Sequence, residues 1–475
     1  MIDSPSLVER AFTLDFSERS YTIRDVEGRV PDFVRGTYYS NGPSRHAIGP
    51  LRYRHLLDGV GMVRALRFTD DGIHFSNRFV RSRKYCEEQK AGKALFRTFG
   101  TRFAGDRLNQ YGIGIESPVN VSAWRFAGSL LAFGEQGLPW EMDPLTLETR
   151  DIYTFGGSLN EITPFSAHPK FDRDTGEMFN FGISFSNERP TLNVFRFDAR
   201  AGKLVYRRRL PVPDPCSVHD CCLSPSYLTV HLNGLVLDMA AIRDGGTTIL
   251  ESMSWEPERG ASLLVASRET GRQVARVPLE RGYCLHTVNA FEQDGRLVYD
   301  IVELDEPVYP DYEVIPEIFT RVRPGRPVRY VIDTQSWRVV ERVVIPYAAS
   351  CDFPSIDPRL ARRPTDHFWM CALSKTGGPG RKYFDELVHV DFGSGGISDT
   401  YRLPERFYFG SEPTFLPDPN DAARGLVLCK RFDAERRRDA YLLFDPFSVA
   451  KGPVAVLHCE EATPPCFHAS YYPDA

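Results

Sequence analysis

The chain has 475 residues, 42% apolar and 25% charged, with a net charge of −5 and a pI near 6.2. This balance suits a soluble chain with a large core and excludes the basic field of a nucleic-acid binder. No uncharged apolar run reaches the ~18 residues of a membrane-spanning helix, and the N-terminus lacks the basic and apolar regions of a secretory signal.

The ten cysteines show no framework spacing and no C-x-x-C. We therefore expect reduced thiols, a cytoplasmic location and no cysteine-bound zinc. Taken in chain order, the one candidate helix lies within residues 90–108. Short strands are predicted at 129–133 (SLLAF), 192–197 (LNVFRF), 227–232 (YLTVHL), 297–304 (LVYDIVEL), 329–332 (RYVI), 386–392 (ELVHVDF) and 440–444 (AYLLF). Turn signals close them, among them Asp143-Pro144, DRDTG (172–176), Asp294-Gly295 and PDPN (417–420). With 35 Pro and 37 Gly in the chain, this spacing predicts an all-β architecture. Four segments repeat one logic of strand, Asp, turn, strand: WEMDPLTLETRD (140–151), FDRDTGEMFNFG (171–182), FRFDARAGKLVYRR (195–208) and YVIDTQSWRVVERV (330–343). Each reads as a blade hairpin, which favours a β-propeller. No interior linker is visible, so one domain over 1–475 is expected.

Eleven histidines carry the chemistry in question. His46, His55, His74, His231, His367, His389 and His458 sit among ordinary strand or loop residues and read as structural. The other four have unusual settings: His168 in SAHPKFD, His219 in SVHDC, His286 in CLHTVNAFEQDG and His468 in CFHASYY. Isolated histidines without local ligand spacing do not by themselves define a metal site.

The segments around them change that reading. NGPSRH (41–46), LLDGVGMVRALRF (56–68), NRFVRS (77–82), LLAFGEQGLPWEMDPLTLET (130–149), SAHPKFDRDTGE (166–177), HDCCLSPSYLTV (219–230), HTVNAFEQDG (286–295), CDFPSIDPRLARRP (351–364), GSEPTFLPDP (410–419) and FHASYY (467–472) fall in one order along the chain. Together they resemble the carotenoid cleavage oxygenase family, which includes apocarotenoid oxygenases, lignostilbene dioxygenases and the retinoid isomerase of the visual cycle. The resemblance implies a seven-bladed β-propeller with a loop and helix cap over its top face. It implies Fe(II) held by His168, His219, His286 and His468, with O₂ as co-substrate. Neutral imidazole suits Fe(II), and four of them leave positions open for O₂.

The resemblance also implies that Glu135, Asp352 and Glu412 orient His219, His286 and His468, fixing tautomer and ring angle. Three residues depart from the family pattern. Asp352 replaces the usual Glu and is one methylene shorter, so a water bridge or a shifted loop is expected. Val121, expected beside the open iron position, replaces the usual Thr. Gly134 stands where the lignostilbene branch has a phenol-binding Lys. The implied activity is O₂-dependent cleavage of a carotenoid or apocarotenoid double bond into two carbonyl products. A stilbene or phenylpropenoid dioxygenase is the alternative, ahead of an O₂-independent isomerohydrolase or a non-catalytic propeller. The expected partner is an apolar polyene or aryl-alkene. Peripheral membrane contact is expected through residues 94–103 and 232–241.

Overall fold

The computed structural model describes residues 7–184, 189–280, 282–314, 318, 323–374 and 383–474. Its strands form seven antiparallel sheets of four to six strands, with two small hairpins beside them. These are the seven blades of a β-propeller. Most blades are built from consecutive strands, as in Lys170–Asp172, Glu177–Ser184, Thr191–Asp198 and Lys203–Pro211.

The burial pattern explains the layering. Middle strands such as Thr191–Asp198 are buried on both faces, whereas the outer strand Lys203–Pro211 is largely exposed. Apolar side chains of neighbouring blades then pack face to face. Phe181 and Leu192 of one blade meet Val230 and Leu264 of the next, and Leu263 meets Tyr299 of the blade after that.

The repeated aspartate has a physical role. In each hairpin its carboxylate accepts the two backbone N–H groups that follow, closing the turn. Asp143 accepts from Leu145 and Thr146, each at 2.9 Å. Asp172 accepts from Asp174 and Thr175, Asp198 from Arg200 and Ala201, and Asp333 from Gln335 and Ser336.

Ring closure uses both ends of the chain. Ala469–Pro473 adds to the N-terminal strand Gly36–Ser44, while Val26–Gly28 adds to Ala455–His458 of the last blade. The first and last blades therefore each contain a strand from the opposite end.

The expected helix is displaced. It spans Arg83–Ala91, capped by the Ser82 hydroxyl and ended by Gly92 at φ +63°. Residues 92–108 instead form irregular loop, interrupted by Gly100 and Gly105. The left-handed cap at Gly92 stops the helix where the sequence expectation began it.

Candidate metal centre

The four unusual histidines come from four different blades. His168 precedes the strand Lys170–Asp172, His219 precedes Cys221–Leu223, His286 lies within Tyr283–Gln293, and His468 precedes Ala469–Pro473. Their rings nevertheless meet, with centroid separations of 4.3 Å for His168–His219, 4.5 Å for His168–His468 and 4.8 Å for His286–His468. One nitrogen from each lies within 4.8 Å of all the others. These strands therefore line the propeller axis.

Carboxylates fix how the rings are turned. His286 Nδ1 lies 2.6 Å from Asp352 Oδ1, and His468 Nδ1 lies 2.8 Å from Glu412 Oε2. A carboxylate only accepts, so each Nδ1 carries the proton and each Nε2 keeps its lone pair. The Nε2 of His286 is buried with no hydrogen-bond partner. His168 Nε2 and His219 Nε2 face each other at 2.9 Å. Converging imidazole lone pairs without enough protons between them suit a cation, so the residues fit a divalent metal.

The shorter Asp352 reaches His286 directly, without the bridging water considered above. The chain shifts to allow this. The pairing of Ser350–Ser355 with His367–Leu373 slips between Asp352 and Ser355, and Phe353 adopts φ +56°. Its N–H donates to Asp352 Oδ1 at 2.8 Å. Glu135 is looser, with Oε1 3.4 Å from His219 Nδ1.

Among the described residues, the carboxylate nearest His168 is that of Asp220, with Oδ1 3.8 Å from its Nδ1. Asp220 is occupied by Lys170 Nζ at 2.8 Å and by the N–H and hydroxyl of Thr287. This Lys170–Asp220 pair was not singled out in the sequence, although the two residues lie two and one positions after His168 and His219.

Burial and the neighbouring imidazoles push the His168 pKa well below the ordinary histidine value. Burial also lowers His286, with Asp352 opposing it. For His219 burial again disfavours the charge, but Glu135, Asp220 and Asp352 together outweigh it and the net shift is upward.

A cavity of about 440 Å³ reaches the cluster through His219, Glu135, Val121 and Tyr309. Val121 is buried, and its carbonyl accepts the His468 N–H at 3.3 Å. The outer lining includes Tyr111, Ile113 and Ile162, each 47–49% exposed. Phe96 and Leu235, within the segments expected to touch a membrane, are only 3% exposed and belong to the interior.

The cavity also holds polar residues that the sequence reading passed over. Arg83 reaches Glu161 at 2.8 Å and Glu116 at 3.4 Å. Burial raises the Glu116 pKa, with Arg83 opposing. Gly134 has no space for a side chain unless its neighbours move. A Cβ there would lie 2.3 Å from Ser117 Oγ and 3.0 Å from the Val119 backbone. Segment 117–119 thus occupies the space that a side chain at 134 requires.

Residues 12–473 match the family described as RPE65, retinal pigment epithelial membrane protein. The chain is 30% identical to apocarotenoid-15,15'-oxygenase of Synechocystis sp., over 98% of this chain and 96% of that protein. It is 28% identical to lignostilbene-alpha,beta-dioxygenase isozyme III of Sphingomonas paucimobilis, over 84% of this chain and 83% of that one. The solved structure of cobalt-substituted Synechocystis ACO covers 99% of this chain, and is covered to 99% itself, at a TM-score of 0.90 and 28% identity. The chain belongs to the RPE65 family, the carotenoid oxygenase family that its ordered motifs resemble.

Proposed function

We propose that this protein is an Fe(II)-dependent dioxygenase that splits a carbon–carbon double bond of a carotenoid or apocarotenoid into two carbonyl products. The observation that carries the reading is the convergence of four imidazoles beside one cavity, which reaches them at His219. His168, His219, His286 and His468 would hold the metal, and Glu135, Asp352 and Glu412 would orient three of them. Bound iron(II) supplies the redox chemistry by which O₂ adds across the alkene. Both oxygen atoms enter the products, one to each new carbonyl, so no external reductant is needed.

The chain's own residues perform positioning. Leu57, Phe99, Phe165 and Leu138 give the cavity an apolar wall that excludes water and aligns an extended substrate. Val121 adds a branched apolar surface beside the cluster and offers no hydroxyl. The name of the Synechocystis relative supports a polyene substrate. Gly134 is consistent with this, because it lacks the lysine side chain that the lignostilbene branch carries at that position.

The test is kcat/KM for an apocarotenal against a 4-hydroxystilbene, with products identified by mass spectrometry. The account expects the apocarotenal to win by at least roughly tenfold, the factor that ~1.4 kcal/mol represents. A higher value for the stilbene contradicts the substrate assignment. Substituting Lys at 134 is not a usable probe, because its Cβ has no room.

Peripheral membrane contact also belongs to this proposal, and it is placed at Tyr111, Ile113 and Ile162 around the cavity mouth. Tyr111→Glu with Ile113→Glu should abolish co-flotation with liposomes. Unchanged flotation contradicts the placement.

A further inference from the structure

Lys430 and Arg64 are both fully buried, at 0% exposure, and neither touches the cavity or the histidines. Their donors converge on one short piece of chain. Lys430 Nζ donates to the Thr463 carbonyl at 2.8 Å and pairs with Asp439 Oδ2 at 2.9 Å. Asp439 Oδ2 accepts the Thr463 N–H at 2.8 Å and its hydroxyl at 3.0 Å. Arg64 Nε donates to the same hydroxyl oxygen at 2.8 Å, and its Nη2 donates to the Pro464 carbonyl at 3.0 Å. Thr463 is thus held through its N–H, its carbonyl and its hydroxyl, five residues before His468.

The main chain of Lys430 holds a second segment. Its carbonyl accepts the Gly410 N–H at 2.8 Å, and its N–H donates to Ser411 Oγ at 3.3 Å. Segment 410–412 carries Glu412, whose Oε2 faces His468 Nδ1 at 2.8 Å. The two segments also bond to each other. Cys466 N–H reaches the Gly410 carbonyl at 2.5 Å, and Glu412 N–H reaches the Phe467 carbonyl at 3.1 Å. One residue therefore registers the strap bearing His468 against the segment bearing its carboxylate.

Burying charges is costly, and apolar residues of equal volume often give equal or greater stability. What charge-assisted bonds add is direction, since each fixes an oxygen to a narrow position. We propose that Lys430, assisted by Asp439 and Arg64, is a positioning residue that sets where His468 Nε2 stands relative to the other three imidazoles. This rests on the reading of the cluster as a metal site.

The experiment uses the full chain loaded with Co(II), read by its d–d absorption and by its release to a chelator. The double variant Lys430→Met/Asp439→Asn removes both charges of the pair together, while the Arg64 guanidinium keeps its bonds to the Met62 carbonyl and Ser44 Oγ. The matched control is Lys84→Met/Glu88→Gln, a buried pair of the same chemistry, 2.7 Å apart, that touches none of the four histidines. We expect the Lys430 variant to release Co(II) roughly 10–100-fold faster, the range for loss of a residue that orients a metal ligand, with a shifted spectrum. The control should lose thermal stability but keep both metal readouts. Should the Lys430 variant not fold, Thr463→Val decides. It deletes only the hydroxyl shared by Arg64 and Asp439, and it should still speed release and move the spectrum. Spectra and release rates equal to wild type in whichever variant folds overturn the inference. Failure of the wild-type chain to bind Co(II) overturns the metal reading itself.

Discussion

At the scale of single residues, the account turns on how each ring is held. Asp352 shows what the sequence conveyed and what it could not. Its pairing with His286 was expected from CDFPSIDPR, but its direct reach was not legible, because the local pairing slips and Phe353 is left-handed there. From sequence, Asp352→Glu restores the family residue and should be tolerated. The direct 2.6 Å contact reverses this expectation, since a longer side chain must push into a fully packed place. We expect Asp352→Ala to lower activity roughly 10–100-fold through a misoriented His286. Asp352→Glu should also lower it, by a smaller factor. Wild-type rates and iron content in both variants would remove Asp352 from the centre. The Lys170–Asp220 pair was missed for a different reason. Nothing in periodicity marks a lysine two residues after a ligand as partner to an aspartate fifty positions away.

At the scale of elements, the strands named from sequence were legible as apolar runs closed by turn residues, several of them aspartates that accept the next backbone N–H groups. Val26–Gly28 was not, since all three of its residues are exposed and carry no pattern. The helix was misplaced because apolar residues in 92–108 fold inward from loop rather than from a helical face. Strand Tyr227–Leu232 yields a pH prediction. His231 within it is 3% exposed, and burial lowers its pKa to about 4. An unfolded histidine titrates near 6.5. The folded pKa is the lower one, so the native state binds fewer protons. The stability this residue contributes is complete above about pH 6.5 and is lost as pH falls toward 4. Between pH 7.5 and 5 the loss is about 2 kcal/mol. His231→Leu should remove that much of the slope in denaturant midpoints measured at the two pH values. An identical slope in variant and wild type contradicts the assignment.

At the scale of the whole molecule, the seven blades bring to one axis four histidines that lie 51, 67 and 182 residues apart in sequence. No local motif could have disclosed that meeting. It became visible only through ten ordered segments read together. Closure of the ring by Ala469–Pro473 places one of the four histidines late in the chain: His468 leads directly into the strand that pairs with Gly36–Ser44. The propeller thus brings the four rings together, and the cavity beside them is lined by loop residues such as Ile115 and Pro118 together with strand residues such as Phe181 and Ile183.

The most direct measurement of the central claim is the fate of O₂. The iron-loaded protein is given an apocarotenal under heavy-isotope O₂, and both carbonyl products are trapped and weighed by mass spectrometry. The account predicts one heavy oxygen in each product, one O₂ consumed per alkene cleaved, and no turnover by His219→Ala or His286→Ala, which should also lose their iron. Label confined to one product, cleavage without O₂ uptake, or full iron occupancy in either histidine variant would contradict it.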